Sequence, residues 1–194
     1  MLISASHLSV VTERNIHIVR WPNNADHVES AAREAATALD YHWALLDGRV
    51  LTTEEDLLAA LPRAFEFPHV PDNGILNWDA TADCIGDLGW LVRRQTGGAG
   101  GTSKVGKRGV VVALREPVTL MQSNLLQFAI LIDTLGTQSQ YLLKRWAPFH
   151  VVVGPMPQEY RYEFFMNTLS VSKYFCEACQ MVDGASISDE EVEP

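Results

Sequence analysis

A chain of 194 residues that is 47% hydrophobic is long enough for one domain with appendages, and it can bury a core without disulfides or metal. Its net charge of −9 excludes nucleic acid as the natural partner, and no run approaches the roughly 18 apolar residues needed to span a bilayer. Three cysteines are too few and too odd in number for a disulfide framework, and Met1 to Pro22 lacks a basic segment followed by an apolar one, so a cytoplasmic location without a secretory leader is expected.

The charge is unevenly spread. Glu177, Asp183, Asp189, Glu190, Glu191 and Glu193 have no base among them, which leaves residues 1–176 at −3, with 15 bases against 18 acids. Within that body, residues 54–91 hold eight acids against the single base Arg63. A basic protein is the complement of such a region.

Taken in order, residues 15–21 (Asn-Ile-His-Ile-Val-Arg-Trp) are rich in β-branched and aromatic types and predict a strand, ended by Pro22-Asn23-Asn24. Val28, Ala31, Ala32, Ala35 and Leu39 recur at helical spacing over 25–39, with Glu29 and Arg33 as an i,i+4 pair. A strand over 41–46 stops at the turn signal Asp47-Gly48, and Thr52-Thr53-Glu54-Glu55 resembles a capping box. The helix it opens runs to about Phe65 and buries Leu57, Leu58, Leu61 and Phe65.

After a Pro/Gly-rich loop comes the stretch around which the chain is organised, 77–91. Read as a helix, it gathers Trp78, Thr81, Ile85 and Leu88 on one face and aligns Asp79, Asp83 and Asp87 at i, i+4 and i+8 on the other. Asn77 is placed to cap it and Gly89 to stop it. Stacked carboxylates repel one another, and only Asp79 lies in the first turn, where the helix dipole favours an acid. From its pattern the stripe reads either as a binding face or as a solvated surface.

Residues 92–108 form a Gly-rich loop with five bases and no acid, matching neither a P-loop nor a dinucleotide fingerprint; they read as a flexible surface insertion. Val110–Leu114 is a strand of the doubly covered kind. Pro117 to Arg145 is mainly helical, with Leu125, Phe128, Ala129, Ile132 and Leu135 as its core stripe and a break expected at Gly136. Phe149–Val153 is a further buried strand, closed by Gly154-Pro155. Alternating strands and helices imply an α/β fold with a mostly parallel sheet. Beyond it, 155–194 is an extension: Tyr160 to Phe175 has amphipathic helical spacing, and 183–194 has the composition of a disordered acidic tail.

No catalytic constellation emerges. Cys176 and Cys179 form a single C-x-x-C without the second ligand pair that structural zinc needs. His17, His42 and His150 lie in or beside strands, where histidines are commonly structural. Asp79 and Asp83 sit on an open polar face with no apolar pocket to raise a carboxyl pKa, so acid–base chemistry is not expected. Neither enzyme activity, cofactor nor metal is expected.

Leu46-Asp47-Gly48-Arg49-Val50, then Thr53-Glu54-Glu55-Asp56-Leu57 and Phe67-Pro68, then Asn77-Trp78-Asp79-Ala80 with Asp83-Cys84-Ile85 and Asp87-Leu88, resemble the barstar family of intracellular inhibitors of barnase-type ribonucleases. Gly109–Leu114, Phe128–Leu135 and Pro148–Val153 are similar to the family's remaining strand, helix and strand. The resemblance covers 43–154, within a domain expected over 15–154 that adds an N-terminal strand–helix unit. It implies a small parallel sheet flanked by helices, and an acidic helix that plugs the active site of a basic ribonuclease. The carried-over partner-binding residues are Asp79, Asp83 and Asn77, with His69 in the place of a contacting tyrosine; Asp87 joins them from the stripe. The chain departs from the family in a longer loop over Pro68–Asn77, in Ala82 where the family has a large aromatic, and in the lack of a clear counterpart to a late glutamate near Gly136 and Thr137. The resemblance thus implies a ribonuclease inhibitor or immunity protein, or else a protein-interaction or regulatory module of the same fold with a non-ribonuclease partner.

Overall fold

The computed structural model describes residues 5–9, 16–20, 24–68, 76–92, 106–145, 147–157, 159–160 and 179–182. Each apolar stretch expected to be a strand is one: β1 (Ile16–Arg20), β2 (Tyr41–Asp47), β3 (Gly109–Arg115) and β4 (Phe149–Met156). A fifth, β5 (Cys179–Val182), comes from the C-terminal extension. The helices are α1 (Ala5–Ser9), α2 (Ala25–Ala38), α3 (Glu54–Ala64), α4 (Trp78–Gly86), α5 (Pro117–Ser123) and α6 (Leu125–Arg145).

The strands form one sheet in the order β2-β3-β4-β1-β5, and every pairing is parallel. Parallel neighbours need crossovers, and the direction of each crossover fixes its face. From β2 to β3 to β4 the chain steps one strand at a time, through α3–α4 and then α5–α6. From β1 to β2 it passes over β4 and β3 through α2.

The period of two along each strand divides the core accordingly. Ile16, Ile18, Val112, Val151 and Val153 pack with Leu57, Leu61, Ile85 and Phe128 on one face. Val19, Val111, Ala113 and Val152 pack with Leu8, Val28 and Ala32 on the other. Phe65, Phe128 and Phe149 are fully buried, each removing apolar surface that stabilises by roughly 1.5–3 kcal/mol. Arg115, at the end of β3, clamps the start of α2 through Asp26 at 2.7 Å and Glu29 at 3.1 Å. Glu29 also takes its i,i+4 partner Arg33 at 2.8 Å.

His17, His42 and His150 are structural. His42 Nε2 lies 2.7 Å from the Ala64 carbonyl oxygen. His17 Nε2 and His150 Nδ1 share a buried hydrogen bond of 3.0 Å, with the Tyr41 ring stacked on His150.

Four local expectations are corrected. The capping box of α3 joins Thr53 to Asp56, one residue later than the pair suggested by Thr52 and Glu55. Helix α6 runs through Gly136, and the break falls at Asn124, whose backbone is extended and whose side-chain oxygen accepts from the Gln127 amide at 3.2 Å. Gly136 serves packing instead: a Cβ there would stand 3.2 Å from Ile16 Cδ1, so its absence lets the helix lie close on β1. Strand β4 does not end at Gly154-Pro155; an irregularity opposite Val19 absorbs the pair, and pairing resumes at Arg20 with Met156. Helix α4 ends at Gly86, three residues before Gly89, where the backbone of Asp87 leaves helical geometry at φ −119° and ψ 62°.

Candidate partner-binding site

The acidic helix is held by its own sequence at both ends. Asn77 is its N-cap: the side-chain oxygen accepts from the Ala80 amide at 2.8 Å, leaving the side-chain nitrogen for a partner. Asp87 is the C-cap, its amide donating to the Asp83 carbonyl at 3.1 Å. On the inner face Thr81 and Ile85 are fully buried, with Trp78 half-buried beside them. The Leu88–Val92 turn that follows is locked by the Leu91 and Val92 amides, both donating to the Leu88 carbonyl at 2.9 Å.

Neighbouring helices fix the position of α4. The Trp78 indole donates to Gln127 Oε1 at 3.0 Å, and Gln127 Nε2 donates to Glu54 at 3.1 Å, so one buried amide ties α4 and α3 to α6. At the other end, Gly86 allows close approach: a Cβ there would lie 2.7 Å from Gln138 Oε1. Trp90 donates to the Phe65 carbonyl at 3.1 Å and meets Phe67 edge-on at 5.9 Å.

What remains on the outside is charge. Asp79, Asp83 and Asp87 are all exposed, as their spacing predicts. Asp79 and Asp83 make no hydrogen bond or ion pair through their carboxylates among the described residues, whereas Asp40, Asp47 and Asp56 are each engaged. Two free carboxylates one turn apart on a braced helix form a preorganised acceptor for cationic donors. Cys84, between them in sequence, is half-buried and reduced; burial, with Asp83 and Asp87 adding, pushes its thiol pKa up. Ala82 is half-buried and presents only a methyl group.

The structure gathers Asn77, Asp79, Asp83 and Asp87 on one element. His69 lies outside the described residues. Sequence reasoning missed the brace: Gln127 is 49 positions from Trp78 and 73 from Glu54, and no local pattern links them. It also missed Gln138 and Tyr141, which border Gly86 from α6.

The family model for barstar (barnase inhibitor) matches residues 41–154, more than half of the chain, from the first residue of β2 to the Gly154 of β4. The chain belongs to the barstar family. No curated protein matches it. The barstar match takes in α3, α4 and α6, the three helices tied together by Gln127, and it leaves out helix α2 and the strands β1 and β5, which extend the sheet beyond β4. No helix among the described residues is long and apolar enough to cross a membrane.

Proposed function

We propose that this chain is a ribonuclease inhibitor, an immunity protein that neutralises a cytotoxic, basic ribonuclease made by the same cell. The observation that carries the reading is the pair Asp79 and Asp83: exposed, without an ion pair among the described residues, and displayed by a helix that lies within the span matched by the barstar family. A ribonuclease holds RNA phosphate with arginine, lysine and histidine, and two fixed carboxylates occupy those donors without offering a scissile bond. The inhibitor performs no chemistry of its own. The small side chain of Ala82 favours a second reading, a module of the same fold directed at a different basic protein, because it removes an aromatic anchor from the binding face.

The discriminating experiment uses the chain and its Asp83→Ala variant as paired baits in the producing cell. The captured protein is then assayed for RNA cleavage with and without stoichiometric bait. Recovery by the wild-type chain alone of a ribonuclease that the bait silences supports the inhibitor reading. Recovery by both baits alike of a protein that does not cleave RNA sinks it.

A further inference from the structure

Beside the acidic stripe, the first turn of α3 and the residues entering α4 border an open hollow of about 500 Å³, lined by Thr53, Glu54, Glu55, Leu58, Leu76 and Asn77. Its volume lies within the range of roughly 300–1,000 Å³ found for sites that take a discrete chemical group. The floor is apolar, since Leu58 and Leu76 are buried, and the rim carries two exposed glutamates.

The three acids in the first turn of α3 are used differently. Asp56 is consumed by the cap, accepting from the Thr53 amide at 3.0 Å and the Thr52 amide at 3.2 Å. Glu54 is positioned by Gln127 through one oxygen, and the other has no hydrogen bond or ion pair among the described residues. Glu55 forms no hydrogen bond or ion pair through its carboxylate among the described residues. Apolar walls beneath unneutralised carboxylates match one kind of group, a long apolar stem ending in a cation. An anion would be repelled, and a purely apolar group would strip water from the carboxylates without replacing it. Asn77 belongs to both surfaces, capping α4 and lining the hollow, so the hollow continues the stripe that begins at Asp79.

We propose that this hollow receives an arginine or lysine side chain of the partner protein, as a second anchoring point beside Asp79 and Asp83. The stem would lie on Leu58 and Leu76 and the head group at Glu54 and Glu55. The inference rests on the inhibitor reading only for the identity of the partner; the recognition chemistry belongs to the hollow itself.

The test therefore uses a small probe instead of a ribonuclease. The full chain, labelled with nitrogen-15, is titrated with N-acetyl-arginine amide and, separately, with its neutral isostere N-acetyl-citrulline amide. The arginine probe should produce saturable shifts at the Leu58, Leu76 and Asn77 amides, and the citrulline probe should not. Glu55→Gln should weaken the arginine probe roughly two- to fivefold, the range for one exposed ion pair, with the spectrum otherwise preserved. Equal binding of citrulline, shifts confined to 79–87, or an unchanged affinity in Glu55→Gln would each overturn the proposal. Loss of ribonuclease inhibition with intact probe binding would instead strike the functional reading alone.

Discussion

The Trp78 indole and the Gln127 side-chain oxygen are 3.0 Å apart, which joins the first turn of the acidic helix to a helix that follows it by a strand and a long insertion. Gln127 is buried and passes the connection on to Glu54, so a single amide sets the separation of three helices. Replacing it with leucine leaves the indole N–H and one glutamate oxygen without partners. An unmade buried hydrogen bond costs about 1–3 kcal/mol, and urea unfolding of Gln127→Leu should show a loss in that range. An unchanged unfolding midpoint would mean that the brace does not bear on stability.

The His17–His150 contact predicts a pH dependence. Burial depresses the His150 pKa from its ordinary 6.5 to about 4, against a smaller opposing effect of the Leu8 carbonyl. The unfolded chain then binds a proton near pH 6.5 that the folded chain refuses until about pH 4. Stability is therefore complete above pH 6.5, falls as the pH drops through this window and levels off below it; the loss is on the order of 3 kcal/mol at 1.36 kcal/mol per pKa unit. His150 also faces the Tyr41 phenol, whose own pKa is raised, chiefly by burial, and which stays neutral throughout the window. Urea titrations at pH 7.5, 5.5 and 4.5 should show this slope in the wild type and a shallower one in His150→Gln. Parallel slopes would remove His150 as the cause.

Much of this architecture is legible in the sequence, for reasons that differ by element. The strands β3 and β4 follow from apolar runs of the doubly covered kind, β2 from a short run stopped by Asp47-Gly48, and Thr81, Ile85, Asp79 and Asp83 fall on their faces from helical spacing alone. Local signals fail where tertiary contact overrides them. Gly136 resembles a helix break until Ile16 is seen beneath it, and Gly154-Pro155 looks like a strand end until β1 pairs beyond it. Two features carry no local signal at all: β5, which completes the sheet from the C-terminal extension, and Gln127, whose partners come from two other helices.

Cys84 offers a chemical reporter on the acidic face. Its thiol pKa is raised by burial first, then by the negative field of Asp83 and Asp87, so iodoacetamide should modify it slowly at neutral pH and faster as the pH climbs. Removing one of those charges with Asp83→Asn should accelerate the reaction at fixed pH. A bound partner that covers α4 should protect the thiol. Alkylation in the complex at the free-chain rate would place the partner elsewhere.

The Gly-rich insertion permits a clean deletion because its base is fixed by structure. Lys107 donates its amide to the Leu91 carbonyl at 2.8 Å, and Val92 and Lys107 form an isolated parallel bridge. With both ends pinned, replacing 93–105 by a short Gly/Ser linker should change stability by less than about 1 kcal/mol, because loop-closure entropy varies slowly with length. The deleted segment carries Arg93, Arg94 and Lys104 and follows the acidic helix in sequence. Tighter partner binding after deletion would identify these bases as a screen on the stripe, and weaker binding would make them part of the interface; calorimetric titration reads the difference.

The central claim concerns Asp79 and Asp83. Docking into a basic active site would desolvate both, and truncating such a charge costs on the order of 2–5 kcal/mol, a range drawn in part from the barnase–barstar complex itself. Asp83→Ala should weaken binding more than Asp79→Ala, since Asp83 stands at the middle of the stripe. Neither change should lower the melting temperature appreciably: both side chains are exposed, and Asp79 alone contributes a few tenths of a kcal/mol through the helix dipole. Calorimetric titration of both variants against the captured ribonuclease, with thermal melts of the free proteins, is the most direct measurement. The account predicts at least about 30-fold weaker binding for Asp83→Ala with folding intact, as follows from 2 kcal/mol; binding of both variants within a factor of about three of wild type, under 1 kcal/mol, would contradict it.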